Sequence, residues 1–220
     1  SFSKSIDFSH EGFVYIENEN NNMHNPPGTW VYYAEPGDSV CFDSRGSELP
    51  WETTYSGTRP EEQRLIQELR KKIRVYDDER KTSRSNEIFD GDIRFSIRIS
   101  NDIKTSVTQN VEKLLIDLQE AEKIISGYRH KIPERSYKFI LNETKSYFYN
   151  GIFHHAFIAF GRGFNYISDI PVSDIEATRK IIDNINFHEV YNDYGLHSRK
   201  CTDYYFRNHF YKANKVYYRY

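Results

Sequence analysis

The sequence is short of several features that mark common protein classes. It has two cysteines, Cys41 and Cys201, which form neither a CxxC pair nor a disulfide framework, and this favours a reducing, intracellular setting. It contains no run of about 18 or more apolar residues, so no membrane-spanning helix is predicted. Its first residues, SFSKSID, are polar and lack the apolar stretch of a signal peptide.

Catalytic motifs are also missing. There is no G-x-S-x-G, no P-loop and no H-E-x-x-H. Gly161-x-Gly163 follows a predicted strand, but Tyr166 occupies the third glycine position of a dinucleotide fingerprint, and the next predicted helix begins too late to bind a phosphate. We therefore predict no catalytic residues, no metal and no cofactor, and we do not expect an enzyme.

Histidine and cysteine supply the remaining candidates for chemistry. His154 and His155 are adjacent on a predicted strand, where neighbouring side chains point to opposite faces and cannot act together. His197, Cys201 and Cys41 could be brought together, but three scattered ligands make a poor zinc signature. A small enzyme that uses one of the two adjacent histidines stays open, and a deep pocket holding a histidine and a carboxylate would support it.

Net charge is low, at −2. Such a chain does not repel copies of itself, so association is easy, and it is an unexpected composition for a protein built mainly to neutralise nucleic acid. The one basic stretch, residues 70–84, mixes its cations with Asp77, Asp78 and Glu79. A mixed solvated face is the favoured interpretation. A viral or phage regulatory protein that binds nucleic acid through this face is the alternative.

Tyrosine is present in excess. The chain has 18 tyrosines and only 8 leucines, and eight of the tyrosines fall within residues 191–220. Tyrosine combines a large apolar face with a polar tip and is enriched where proteins meet. A codon bias of an AT-rich genome explains the excess equally well. The candidates for assembly contacts and for sensing pH are Tyr32, Tyr33, Tyr204, Tyr205, Tyr211, Tyr217, Tyr218 and Tyr220.

Hydrophobic patterning predicts short strands and three helices. Strands are predicted at Gly12–Glu17, Thr29–Ala34, Ser39–Asp43, Asp92–Ser100 and Ser136–Leu141, with a Pro-Gly turn at 35–38 and irregular chain over 44–57. Helices are predicted from Thr58 with the capping box Thr58-x-x-Glu61, over Thr105–Ser126, and from a Ser173 or Asp174 cap to about Asn186.

Residues 147–166, YFYNGIFHHAFIAFGRGFNY, form the least polar stretch. Asn150-Gly151 is a strong hairpin signal, and the apolar run after it is typical of a strand buried on both faces. This hairpin is predicted at the centre of an antiparallel β-sandwich with projecting helices, hence an α+β fold. The predicted organisation is one domain over 1–220. It comprises an N-terminal arm (1–11), a sandwich over 12–200 with helical insertions near 58–85, 105–126 and 174–186, and a tyrosine-rich C-terminal tail (201–220).

Three stretches resemble the cypovirus polyhedrins, insect-virus proteins that crystallise inside infected cells and embed virions. TWVYYAEPGDSVCF (29–42) resembles the early tyrosine-rich strand pair of that family around its glycine turn, and DIRFSIRIS (92–100) resembles a mid-chain sandwich strand. Residues 156–195 resemble the late apolar strand, turn and helix. Together these stretches cover under half of the chain, and the family has no short diagnostic motif.

The resemblance implies a structural matrix protein without catalysis. Its partners would be further copies, as homo-trimers packed into a lattice, and virus particles. From the residues, no membrane partner is expected and nucleic acid is disfavoured as a partner. The protein would be located in occlusion bodies in the cytoplasm of the infected host cell, and the crystals would dissolve in alkali. From the residues, the expected trigger is the ionisation of tyrosines, whose ordinary pKa is about 10.

Overall fold

The computed structural model of the chain describes residues 9–17, 29–43, 54–73, 107–160 and 171–186. Within these residues lie four short strands and four helices, so the predicted α+β class is confirmed. The described strands form two antiparallel pairs and no larger sheet, so a β-sandwich is not among the described elements. The chain divides into two compact units. The first comprises Ser1–Ser96 and Lys123–Ile140, and the second comprises Ile97–Glu122 and Leu141–Tyr220.

The first strand pair lies where the sequence predicts two strands. Strand β1 (Gly12–Glu17) pairs antiparallel with β2 (Thr29–Ala34), with Gly12 opposite Ala34 and Glu17 opposite Thr29. Residues 31–34 are all buried, so β2 is covered on both of its faces. This explains why TWVYYA lacks the polar alternation of a half-buried strand.

The predicted Pro-Gly turn follows β2. The Asp38 N–H donates to the Glu35 carbonyl at 3.0 Å, Pro36 occupies the second position, and Gly37 has a φ of 89°, as a type II turn requires. The next strand, β3 (Val40–Asp43), pairs with β4 (Thr54–Gly57) and not with β2. Strand β4 lies in the stretch that was predicted to be irregular, so that prediction is wrong there.

Gly57 closes this second pair at a position that only glycine suits. Its φ is 114°, and a Cβ atom at this site would lie 2.2 Å from the Ser39 carbonyl oxygen. Thr58 continues the contact, because its N–H donates to the Ser39 carbonyl at 2.9 Å and its Oγ1 accepts from the Ser39 N–H at 3.0 Å. The Thr58 hydroxyl is therefore engaged with β3, and the predicted capping box with Glu61 is wrong.

Helix α1 spans Pro60–Ile73 and belongs to the first unit. Its apolar stripe of Leu65, Ile66 and Leu69 is fully buried, and the helix packs against β2 and β4. Glu61 and Glu62 lie in the first turn, and basic residues lie in the last, which complements the helix dipole. The sequence pattern predicted this helix to within two residues at its start.

Helix α2 spans Val107–Ser126, close to the predicted bounds. Val111, Leu118, Ala121 and Ile125 are its buried stripe, as their helical spacing predicts. After Ser126 the chain makes tight turns, with the Tyr128 N–H donating to the Ile125 carbonyl at 2.9 Å. These turns lead to Pro133 and the next helix.

Helix α3 spans Glu134–Phe160, and it replaces two predicted features. The strand at Ser136–Leu141 and the central hairpin of residues 147–160 are both wrong. Asn150-Gly151 lies inside the helix, where the side chain of Asn150 is fully buried and forms no hydrogen bond with any described residue. The predicted strand at the start of the 156–195 resemblance, residues 156–160, is helical as well.

The reason for this error is physical. A continuous apolar run is compatible with a buried strand or a buried helix, and periodicity alone does not separate the two. Helix α3 is buried around much of its circumference, with Phe139, Ile140, Phe148, Ile152 and Phe153 all inside. Length would have distinguished the alternatives, since no proline interrupts the chain between Pro133 and Pro171.

Helix α4 (Val172–Asp183) belongs to the second unit, near the predicted position. Its N-cap is Pro171 without a side-chain cap, so the predicted Ser173 or Asp174 cap is wrong. The Oδ1 atom of Asp174 instead accepts a hydrogen bond at 3.1 Å from the Thr108 N–H, near the start of α2. Beside this contact, Val111, Ile152, Phe153 and Ile182 form the apolar core of the unit.

Candidate functional site

The densest cluster of ionisable groups in the described chain surrounds Arg59. Its guanidinium group contacts Asp38 through Nε at 2.6 Å, Glu35 through Nη2 at 2.6 Å, and Glu62 more loosely through Nη1 at 3.4 Å. Partial burial acts to lower the Arg59 pKa, but the hydrogen bond that Arg59 donates to Asp38 and the charges of Asp38, Glu35 and Glu62 outweigh it and raise the pKa. The cluster joins the turn after β2 to the start of α1.

Local backbone geometry positions these groups. Arg59 has a φ of 57°, the left-handed region that a non-glycine residue rarely adopts. Its carbonyl accepts the first helical hydrogen bond, from the Gln63 N–H at 3.2 Å, which makes Arg59 the N-cap of α1. On the turn, the Glu35 N–H donates to Asp38 Oδ2 at 2.7 Å and holds that carboxylate toward Arg59. Contacts with the turn therefore maintain a strained backbone at Arg59.

Tyr33 lies beneath this cluster and is fully buried. Its hydroxyl donates to Glu35 Oε1 at 2.7 Å, and the Arg59 guanidinium lies 5.8 Å from the centre of its ring. Its carbonyl accepts a hydrogen bond from Gln63 Nε2 at 2.6 Å. Burial, followed by the hydrogen bond to Glu35, raises the Tyr33 pKa well above its usual range.

Tyr32 points away from Tyr33, since successive strand residues face opposite sides. Its ring meets that of Tyr55 edge to face at 6.0 Å. Burial raises the pKa of Tyr32 well above its usual range, and the Tyr55 hydroxyl adds to this; burial also raises the pKa of Tyr55. The two tyrosines that the sequence nominated together therefore lie in two different buried environments of the same unit.

A second ion pair adjoins Tyr33. Glu11 pairs with Arg135 at the start of α3, and the rings of Phe13 and Phe139 meet edge to face at 5.5 Å. Partial burial acts to raise the Glu11 pKa, but the hydrogen bond from Arg135 outweighs it and lowers the pKa. These contacts attach β1 to α3 within the first unit.

The arrangement makes this cluster sensitive to high pH. The Arg59 guanidinium is occupied by protein carboxylates, so it does not offer itself to a phosphate or carboxylate substrate. Tyr33 donates to Glu35 and must keep its proton to do so. Raising the pH above the tyrosine range would place a second negative charge beside that carboxylate in a buried site, which is unfavourable. The cluster was not predicted from the sequence, although Arg59 before Pro60 and Asp38 at the end of the Pro-Gly turn were visible signals.

Several nominated residues lie outside the described part of the chain. They are Tyr204, Tyr205, Tyr211, Tyr217, Tyr218 and Tyr220 of the tail, together with Gly161, Gly163, His197 and Cys201. Cys41, the remaining member of the scattered zinc candidates, is exposed on β3. Among the described residues, no group of three or more histidines, cysteines and carboxylates could hold a metal ion.

The backbone of His154 and His155 is helical, and their side chains are not among the described ones. Adjacent helical residues are about 100° apart around the axis, so the argument from opposite strand faces is wrong. The absence of a catalytic role for either histidine stays a prediction.

The predicted basic face over residues 70–84 is only partly described. Arg70 is buried, with 2% of its surface exposed, and so it does not belong to a solvent-facing surface. Lys72 is exposed and pairs with Glu68 at 2.5 Å. Residues 74–84 lie outside the described chain. Within the described residues, this face therefore has fewer exposed cations than its sequence suggests.

Comparisons with protein families, with curated proteins and with solved structures find no match to the chain. Within the described residues, no helix combines the length and the apolar character needed to cross a membrane.

Proposed function

We propose that the chain is a structural protein that self-assembles into intracellular crystals, which embed virions and dissolve in alkali. The resemblance to cypovirus polyhedrins supports this proposal at residues 29–42, which form β2, the Pro-Gly turn and part of β3. The excess of tyrosine and the low net charge also favour association. The proposal carries no catalytic role, and it places the protein in occlusion bodies of an infected cell, as homo-trimers.

The observation that carries the proposal is the environment of the buried tyrosines. Tyr32, Tyr33 and Tyr55 are held as neutral phenols, and burial raises each pKa. Such groups contribute stability in full below the unfolded-state pKa of about 10, and they lose it as pH rises through the folded-state pKa. These tyrosines stabilise the protein at neutral pH and weaken it in alkali, which is the behaviour that an alkali-dissolved crystal needs.

The finer fold belongs to the same proposal. A β-sandwich would require strands beyond the two described pairs, and the predicted strand over residues 92–100 is the first candidate. The tail of residues 201–220 would form contacts between copies, because eight aromatic side chains within residues 204–220 would be a liability on the surface of a monomer.

The test is to express this chain alone in insect cells and to examine the cells by microscopy and powder diffraction. Crystals should form, and washed crystals should dissolve above about pH 10. A variant with the six tail tyrosines replaced by phenylalanine should still crystallise but dissolve at higher pH. A control that replaces the exposed Lys113 and Lys180 with glutamine should dissolve at the original pH.

Two results would contradict the proposal. Soluble protein or amorphous aggregates in place of crystals would refute self-assembly. Crystals whose dissolution follows the lysine replacements and ignores the tyrosine replacements would refute the mechanism of release.

A further inference from the structure

Basic and aromatic side chains meet where the turn between α2 and α3 approaches the end of α1. Tyr128, Arg129, His130 and Lys131 form the tip of that turn, and Lys71 and Lys72 lie in the last turn of α1. We call these six residues the turn surface. All of them belong to the first unit, and all except the half-buried Tyr128 are exposed.

Hydrogen bonds and ion pairs hold the two parts together around Glu68. The Tyr128 hydroxyl donates to Glu68 Oε2 at 2.9 Å, and Lys72 Nζ lies 2.5 Å from Glu68 Oε1. Lys131 Nζ lies 4.8 Å from the centre of the Tyr128 ring, and its charge also acts on Glu68. The hydrogen bond from Lys72, and then that from Tyr128, lowers the Glu68 pKa despite partial burial, so the carboxylate is ionised at neutral pH.

The surface carries more positive charge than its neighbours neutralise. Glu68 is the carboxylate that serves both Lys72 and Lys131. Lys71, Arg129 and Lys131 form no ion pair with any residue in the described part of the chain. The charge of Glu61 also acts on Tyr128, but Glu61 is paired with Arg64. The turn surface thus carries four cations beside Glu68 on a protein whose net charge is −2, which makes the excess a local feature. Neighbouring exposed cations repel one another unless an anionic partner accompanies them.

The aromatic part of the surface indicates which polyanion fits. The guanidinium group of Arg129 lies 5.7 Å from the centre of the Tyr137 ring and is exposed to solvent. A planar guanidinium presents a flat face on which an unpaired base can stack, while lysines contact phosphates without reading bases. A duplex buries its base faces and cannot use such a platform.

We propose that the turn surface binds single-stranded nucleic acid, with Lys71, Lys72 and Lys131 on phosphates and Arg129 stacked on a base. This surface differs from the predicted face over residues 70–84, since Arg70 is buried and the turn supplies most of the contacts. The inference does not depend on self-assembly, so each proposal can fail while the other stands.

The first experiment measures binding of a fluorescein-labelled oligouridylate, on the order of 20 nucleotides long, to the whole chain by fluorescence anisotropy. The double variant Lys71→Gln with Lys131→Gln should weaken binding roughly tenfold at low salt. The slope of log affinity against log salt should fall by about 1.4, or about 0.7 for each phosphate that a lysine no longer neutralises. The matched control is Lys113→Gln with Lys180→Gln, which removes two exposed lysines elsewhere and should leave both quantities unchanged.

A second variant tests whether the surface stacks on bases or only attracts negative charge. Arg129→Lys retains the charge and loses the planar face, so it should weaken oligouridylate binding several-fold and leave the binding of inorganic polyphosphate unchanged. Thermal melting of every variant should match that of the original chain, because all replaced side chains are exposed.

Three results would overturn the proposal. The first is no binding of oligouridylate at about 50 mM salt, and the second is an equal loss of affinity in the turn-surface double variant and the control double variant. The third is an equal effect of Arg129→Lys on the affinities for oligouridylate and for polyphosphate. The last result would assign the surface to polyanions in general. Crystals that form in cells without any nucleic-acid binding would refute this inference and leave self-assembly intact.

Discussion

Arg59 offers a sharp test of how the first unit is held together, because two opposing effects meet at one residue. Its side chain compensates Glu35, Asp38 and Glu62, while its backbone has a φ of 57° that favours glycine. We predict that Arg59→Ala and Arg59→Gly both destabilise the protein. We further predict that the glycine variant is the more stable of the two, because glycine adopts a positive φ without strain.

The magnitudes follow from the geometry. Removing one partner of a buried ion pair typically destabilises by about 3–5 kcal/mol, and since Arg59 keeps 20% of its side chain exposed, roughly 3 kcal/mol is appropriate. A non-glycine residue in the left-handed region costs about 1 kcal/mol or more relative to glycine. We therefore expect losses of about 3 kcal/mol for Arg59→Ala and about 2 kcal/mol for Arg59→Gly.

Urea unfolding at pH 7, followed by tyrosine fluorescence and circular dichroism, measures both values. Arg59→Lys should lose most of the stabilisation as well, because an ammonium group cannot contact Asp38 and Glu35 through two separate nitrogen atoms. Arg64→Ala is the matched control on the same helix. Its pair with Glu61 is largely exposed, so its loss should stay below about 1 kcal/mol. If Arg59→Gly proves less stable than Arg59→Ala, or if neither differs from the original chain, the account of this cluster is wrong.

Three further predictions follow from contacts in the two units. Between pH 7 and about 11, Tyr33 should account for a loss of about 1.4 kcal/mol of unfolding free energy, because its folded-state pKa lies above the unfolded value of about 10. In urea unfolding, the stability of Tyr33→Phe should therefore decline less steeply with pH than that of the original chain. An equally steep decline would exclude this role. Gly57→Ala should lose at least about 2 kcal/mol of stability through backbone strain and overlap with β3. Gly37→Ala should lose only about 1 kcal/mol, because a Cβ atom there meets no atom within 4 Å. Equal losses in thermal melting would contradict the role of the overlap. Asp174→Ala should destabilise by about 1 kcal/mol by removing the acceptor for α2, while Ser173→Ala should have little effect in the same melting assay. A larger loss for Ser173→Ala would instead support Ser173 as the cap of α4.

Several elements could be predicted from the sequence because their signals are local. Alternation predicted β1, and the Pro36-Gly37 turn predicted the break between the strands β2 and β3. The helical spacing of apolar residues predicted α1 and α2 within a few residues of their bounds. Each of these signals depends on steric preferences and on periodic burial within one short segment.

Helix α3 could not be predicted from the same kind of signal. Asn150-Gly151 favours a hairpin only when its flanking segments pair with each other as strands. Here those flanks are buried in a helix, and burial around the axis removes the amphipathic period that would have identified it.

The candidate site was determined mostly by tertiary structure. The sequence marked Tyr32 and Tyr33 as unusual, but packing of α1 and of β4 gave them their separate environments. Arg59 meets Glu35 across 24 positions of the chain, and Thr108 meets Asp174 across 66. Local propensity determines where a turn or a helix begins, whereas the partner of a buried carboxylate or phenol depends on which distant segments the core brings together, because a polar group that is removed from water must find its hydrogen bond within the fold.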